Sequence, residues 1–299
     1  IFTLCSSWIF AQMNPGNGVR DSKALFYALK NATVVISPVK TLNNATLLIR
    51  NDEIIEVGTF VVIPDGAVVI DCKNAVILPA FIESFSSVGV PKPTSSERSM
   101  RPQLETNKKG AYYWNESIHP ETHAAENYTA DQKTSTELMK FGFGTAMTHV
   151  EDGIVRGTGA LVSLGNSHPA QQIIKRYAAQ VLSLEKGASR QTYPSSQMGA
   201  IALLRQTFYD LKWYENNRKA EPNISLDELA KHRELPFLFK TNDKWEILRG
   251  KKIADEFGLR FNYLGSGNEY MAIRALEGFK DYLILPLNFP EAYDVKDPY

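Results

Sequence analysis

Cysteine is scarce: Cys5 and Cys72 are the whole supply in 299 residues. Two thiols this far apart make no metal-type pair, so nothing supports a disulfide scaffold or a cysteine-ligated zinc. Net charge is absent as well. Thirty-three Lys and Arg balance 33 Asp and Glu, and the sequence pI is about 7.1. No electrostatic excess draws the chain to nucleic acid or another polyanion. Long apolar runs are also missing. The longest candidate, residues 1–12, is too short to span a bilayer, and nothing later matches it, so a membrane role for the mature protein has no support. Histidine is limited to five residues, which leaves few imidazoles for metal chemistry.

What is present suits a globular protein. Hydrophobic residues make up 43% and charged residues 22%, ample for a core, and the length fits one large α/β domain plus a small one. Residues 1–12 are apolar and turn polar at Met13-Asn14-Pro15-Gly16. We read them as the remnant of a secretory signal peptide, which implies a periplasmic or extracellular location. The plainer alternative is a buried N-terminal strand.

Residues 28–75 carry short β-type segments at 32–39, 45–50, 53–58 and 67–72. Asn51-Asp52 and Pro64-Asp65-Gly66 punctuate them, with side chains that bond their own backbone or tolerate positive φ. This pattern predicts a small antiparallel sheet. Residues 77–84 then read as a central parallel strand that delivers polar residues to its C-terminal end. Residues 91–134 are polar, proline-bearing and aperiodic, and read equally well as a loop over a binding mouth or as a surface insertion. From residue 130 helices and strands alternate. Helices are expected at 134–141, 198–217, 226–232 (capped by Ser225), 244–257 (closed by Gly258) and 269–279. Strands are expected at 144–150, 159–165, 180–184, 235–241, 259–264 and 281–287. That rhythm implies parallel β/α units.

Leu78-Pro79-Ala80-Phe81-Ile82-Glu83, followed by Phe85 and Ser87, resembles the first barrel strand of the amidohydrolase superfamily. That phrase is approximately Leu-Pro-Gly-Phe-Ile-Asp-x-His-x-His. The stretches 45–58, 64–71 and 142–146, in their order and spacing, resemble the imidazolonepropionase-like cyclic amidohydrolases in particular. The resemblance implies an α/β fold: an incomplete (β/α)8 TIM-type barrel over residues 76–299, preceded by a small antiparallel β-sandwich half at 28–75. With Tyr299 as the last residue, it also implies that the barrel lacks its last unit or units, and it leaves room for a downstream catalytic domain in the same chain. Family members hydrolyse non-peptide C–N bonds with one or two metals, usually zinc. Here the corresponding ligand positions read Phe85, Ser87, Lys240 and Gly265. A phenyl ring and a glycine offer no donor, a lysine repels a cation, and a serine hydroxyl is a poor zinc ligand. No metal and no cofactor are therefore expected.

The remaining candidates are weak binding residues: Glu83, His149, Arg156 and Lys240. His149 ends the second strand. Arg156-Gly157-Thr158-Gly159 could hold an anion with backbone N–H groups and a guanidinium, or could be an ordinary glycine-ordered loop. Glu83 and Lys240 could pair in the vacated site. His119 and His123 are four apart but Pro120 intervenes and no third ligand is near; His168 and His232 read as structural. Two functions compete. One is a pseudoenzyme, a structural or ligand-binding half of a larger secreted protein that takes a small molecule. The other is an active hydrolase of cyclic amides built on a rearranged site around His149, Glu83 and Lys240.

Overall fold

A computed structural model describes residues 25–94, 102–218 and 221–286. The segment 1–12 and the stretch 288–290 lie outside the described residues. Two compact units divide the chain between Pro79 and Ala80.

The first unit is one five-stranded sheet of β1 (Phe26–Ser37), β2 (Lys40–Arg50), β3 (Glu53–Gly58), β4 (Val68–Asp71) and β5 (Val76–Ile77). Hairpins join β1 to β2 and β2 to β3, the second through Asn51 at φ 56°, a conformation Asn tolerates better than most residues. The expected antiparallel sheet is corrected here, because β4 and β5 both run parallel to β1. The connection 59–67 carries the chain from β3 to the opposite edge of the sheet, where β4 pairs with β1. A small core of Ala32, Val34 and Ala45 forms on one face, while every residue of β4 is exposed. Among the described residues there is one sheet in this unit, not the two layers of a sandwich.

The strand expected at 77–84 is split. Ile77 pairs with Val34 in the first unit, and Pro79, which lacks an N–H, separates it from β6 (Phe81–Ser86) in the second. β6 is an edge of its sheet among the described residues, not a central strand.

The second unit continues with α1 (Ala124–Asn127), α2 (Gln132–Lys140), β7 (Phe143–Thr148), β8 (Val155–Ser163), α3 (Pro169–Gln172), β9 (Ile173–Leu182), α4 (Gln197–Asn217), α5 (Ile224–Lys231), β10 (Phe237–Lys240), α6 (Lys244–Phe257), β11 (Phe261–Leu264) and β12 (Leu283–Ile284). Its seven strands lie in sequence order in one mixed sheet that does not close on itself among the described residues. Neighbours are parallel except at β8, which runs antiparallel to both β7 and β9. This departs from an all-parallel barrel for a plain reason. The six-residue connection 149–154 is far shorter than the dozen or so residues a parallel crossover needs, so β8 turns back along β7. The helix expected at 269–279 shrinks to a 3-10 turn at Glu269–Ala272.

Helices α4 and α6 pack on β9, β10 and β11 through Leu203, Leu204, Phe208, Ile247 and Ile253 against Phe237, Phe239, Phe261 and Tyr263. Each such side chain contributes about 1.5–3 kcal/mol on burial. Gly250 makes the close approach of α6 possible, because a Cβ there would stand 2.9 Å from the Tyr263 ring. Asp243 caps α6 by accepting from the N–H groups of Trp245 and Glu246, and Gly258 ends it at φ 66°. Asn223, not Ser225, caps α5. The Ser225 hydroxyl instead accepts from the Tyr113 N–H, which ties the long excursion to the core.

Candidate functional site

Strand direction gathers the candidate residues. The C-terminal ends of β6, β7, β9, β10 and β11 share one edge of the sheet, and the reversal of β8 brings its first residues to that same edge. The register fixes this: Val155 pairs with Leu182, Leu182 with Phe239, and Lys240 with Leu264. Arg156 from β8, Glu185 beyond β9 and Lys240 at the end of β10 therefore converge.

Arg156 is 2% exposed. Its Nε donates to the Gly153 carbonyl, and its Nη2 donates to Ser183 Oγ at 3.1 Å and to Glu185 Oε2. Lys240 Nζ donates to both oxygens of Glu185, at 3.2 and 3.1 Å. Burial pushes the Glu185 carboxyl up, but the Lys240 ammonium and Arg156 guanidinium together outweigh it and hold the group below the usual carboxylate range. The result is a carboxylate clamped between two cations. Arg156 Nη1 stays buried with no hydrogen-bond partner.

His149 follows β7 and is 1% exposed. Its ring lies 4.1 Å from that of Phe85, centroid to centroid. Neither ring nitrogen meets a hydrogen-bond partner. Burial, then the charges of Arg156 and Lys240, lower its pKa to about 3, so the imidazole is neutral at physiological pH. Gly159 lets β8 come this close, since a Cβ would meet Met147 Sδ at 2.5 Å.

Glu83 turns to its own strand, where Oε1 accepts from the Phe85 N–H at 3.2 Å. The ion pair expected between Glu83 and Lys240 is replaced by Glu185 with Lys240. The loop expected at Arg156-Gly157-Thr158-Gly159 is instead part of strand β8 and is covered: the Thr158 N–H donates to the Thr122 carbonyl, and a Cβ on Gly157 would collide with that carbonyl. His119 and His123 turn to different partners, His119 to Thr122 Oγ1 at 3.2 Å and His123 to Thr158 Oγ1 at 2.8 Å. His168 Nδ1 accepts from the Ala170 N–H at the start of α3.

No protein-family model matches the chain, and no curated protein matches it. Among solved structures, an amidohydrolase from Thermotoga maritima MSB8 superposes with a TM-score of 0.67 over 89% of this chain and 72% of that one, at 21% sequence identity. The chain has the fold of an amidohydrolase. A prolidase complexed with N-methylphosphonate-L-proline, at 12% identity and TM-score 0.41, and a second amidohydrolase, at 14% and 0.40, align too loosely to support an argument. Each covers 88% of this chain, which spans 66% of theirs.

Within that amidohydrolase fold, the positions that the resemblance assigns to zinc do not suit it. The Phe85 ring packs on His149, Lys240 already neutralises Glu185, and Gly265 has the Glu269 carboxylate 2.9 Å from where a Cβ would stand. Glu269 itself accepts from the Ser266 and Gly267 N–H groups. A divalent cation needs several free neutral or anionic donors at fixed distances, and the carboxylate at this edge, Glu185, is already held by two cations.

Glu185 escaped the sequence reading because it lies past the end of a strand, where no motif marks it, and Ser183 because it read as part of the strand expected at 180–184. Glu246 escaped it too. It is 4% exposed, its Oε2 accepts from the Asn242 N–H and its Oε1 from Gln197, and burial raises its pKa. A cleft of about 540 Å3 opens at the opposite edge, among Phe237, Gly258, Asn262 and Tyr282. Size and chemistry disagree here. The cleft's charged residues sit in surface ion pairs, Arg233 with Glu215 and Arg260 with Asp281, so we assign the candidate site by its chemistry.

Proposed function

We propose that this chain is a pseudoenzyme on the amidohydrolase fold, serving an exported protein as a structural or ligand-binding part. The observation that supports it is the Arg156–Glu185–Lys240 cluster, which places fixed positive charge where a hydrolytic metal would be needed. Lys240 does the electrostatic work of a cation, and Arg156 holds the carboxylate from the other side. Neutral His149 lies buried beside the Phe85 ring with both ring nitrogens unpartnered, polar groups that ligand binding would have to uncover. Export rests on the apolar stretch at residues 1–12.

The rival is an active hydrolase of cyclic amides. It rests on the free nitrogens of His149, but a pKa of about 3 makes that imidazole a weak base at neutral pH. Turnover assays on cyclic amides, with and without added zinc or manganese, decide between the two. The pseudoenzyme reading expects no turnover in either condition. Turnover in the wild type that disappears in His149→Ala would overturn it.

A further inference from the structure

A second cluster lies away from the Lys240 edge. Glu228 and His232 are four residues apart at the end of α5 and therefore share one face of the helix. His123, from the segment ahead of α1, joins them because its backbone bridges to Thr158 of β8. His123 Nε2 stands 3.3 Å from Glu228 Oε2, and His232 Nε2 stands 3.3 Å from the same oxygen. One donor atom from each of the three lies within 4.8 Å of the others. His232 precedes β10, whose far end carries Lys240, so this cluster is separate from the ion-paired site.

We propose that His123, Glu228 and His232 form a binding site for a divalent transition metal of the zinc type. Two ligand atoms on a tetrahedral ion with bonds of about 2.1 Å stand roughly 3.4 Å apart, which the two His–Glu distances match. Two imidazoles and one carboxylate, with a fourth position left to water, are a donor set that borderline divalent ions prefer over calcium or magnesium. Both histidines are 7% exposed, and the buried His232 Nε2 faces the Glu228 carboxylate rather than solvent. His123 is held as metal-binding histidines are: its Nδ1 meets Thr158 Oγ1 at 2.8 Å, which orients the ring and leaves Nε2 facing the site. The Tyr177 ring, 4.3 Å from His232 and 5.2 Å from His123, walls one side. Lys231 Nζ donates to Glu228 at 3.0 Å and competes with the metal, but its side chain is 57% exposed and can swing into solvent. Bound metal would pin α5 to the excursion that covers β8.

The test is zinc titration of the chelator-treated full chain by calorimetry, with cobalt absorption as a second readout of tetrahedral ligation. The expected result is about one zinc per chain, with affinity lowered about tenfold or more in His232→Ala and Glu228→Gln and about tenfold in Thr158→Val. Lys231→Ala removes an exposed cation and threatens no packing; it should tighten binding. His149→Ala should leave binding unchanged, which separates this site from the sheet edge. Absence of zinc binding in the wild type, binding equal in His232→Ala and the wild type, or loss of binding confined to His149→Ala would each overturn the proposal.

Discussion

Lys240 Nζ lies 3.1 Å from Glu185 Oε2, and the same oxygen accepts from Arg156. One carboxylate thus satisfies a cation from each of two strands, and neither cation can lose it without an electrostatic cost. Glu185→Gln leaves the buried Arg156 guanidinium facing a neutral amide. The Glu185 side chain is 37% exposed, so water repays part of the loss. We expect a destabilisation of about 1–3 kcal/mol, less than a fully buried pair would show. Urea denaturation checks this; an unchanged midpoint would mean that the cluster contributes nothing.

Acid should weaken the fold through His149. Its folded pKa, about 3, lies well below the ordinary value of 6.5, chiefly because burial disfavours the charged ring. Between those values the unfolded chain binds the proton and the folded chain does not. Stability therefore rises with pH across that window, is fully present above it, and is lost as pH falls. The depressed Glu185 carboxyl has the same sign at lower pH, near the carboxylate range. His149→Leu should flatten the pH dependence of the melting temperature between about pH 3 and pH 6.5. An identical slope in wild type and variant would refute the assignment to His149.

Gly250→Ala should destabilise although it sits within a helix. Removing glycine from a helix ordinarily gains about 0.5–1 kcal/mol. Here the added Cβ would stand 2.9 Å from the Tyr263 ring and 3.2 Å from Phe239, both fully buried and unable to yield. Overpacking of this kind costs about 1–3 kcal/mol, so the clash outweighs the propensity. Thermal melts of the variant decide the sign.

Restoring two histidines should not restore hydrolysis. Phe85→His with Ser87→His adds two imidazoles at the end of β6, but Lys240 still carries its charge and Gly265 still offers no donor. We expect no zinc-dependent turnover of cyclic amides by the double variant. Measurable turnover that a chelator abolishes would show that the ion-paired edge tolerates a metal after all.

Much of the local structure was written in local sequence. The strand Glu53–Gly58 follows its Asn51-Asp52 turn, and α6 runs over the expected residues, Lys244–Phe257, to the Gly258 stop. These features depend on neighbours a few positions away, which is why periodicity and turn chemistry suffice. The likeness to amidohydrolases, carried by the phrase at residues 78–83 and by the order of elements, is met by the fold of the Thermotoga protein. The antiparallel pairing of β8 with β9 was not legible, because the strands expected at 159–165 and 180–184 left a connection long enough for a parallel crossover, and only the structure starts β9 as early as Ile173. Other matters were decided only in three dimensions. Glu185 rather than Glu83 faces Lys240 because the registers of β8, β9 and β10 align three strand ends, and no motif encodes a register between distant segments. His123 meets Glu228 and His232 because a bridge to β8 carries a loop onto the end of a helix far along the chain. Spacing along the sequence reports which residues share a helix face; which side chains from separate elements meet is set by packing and strand order.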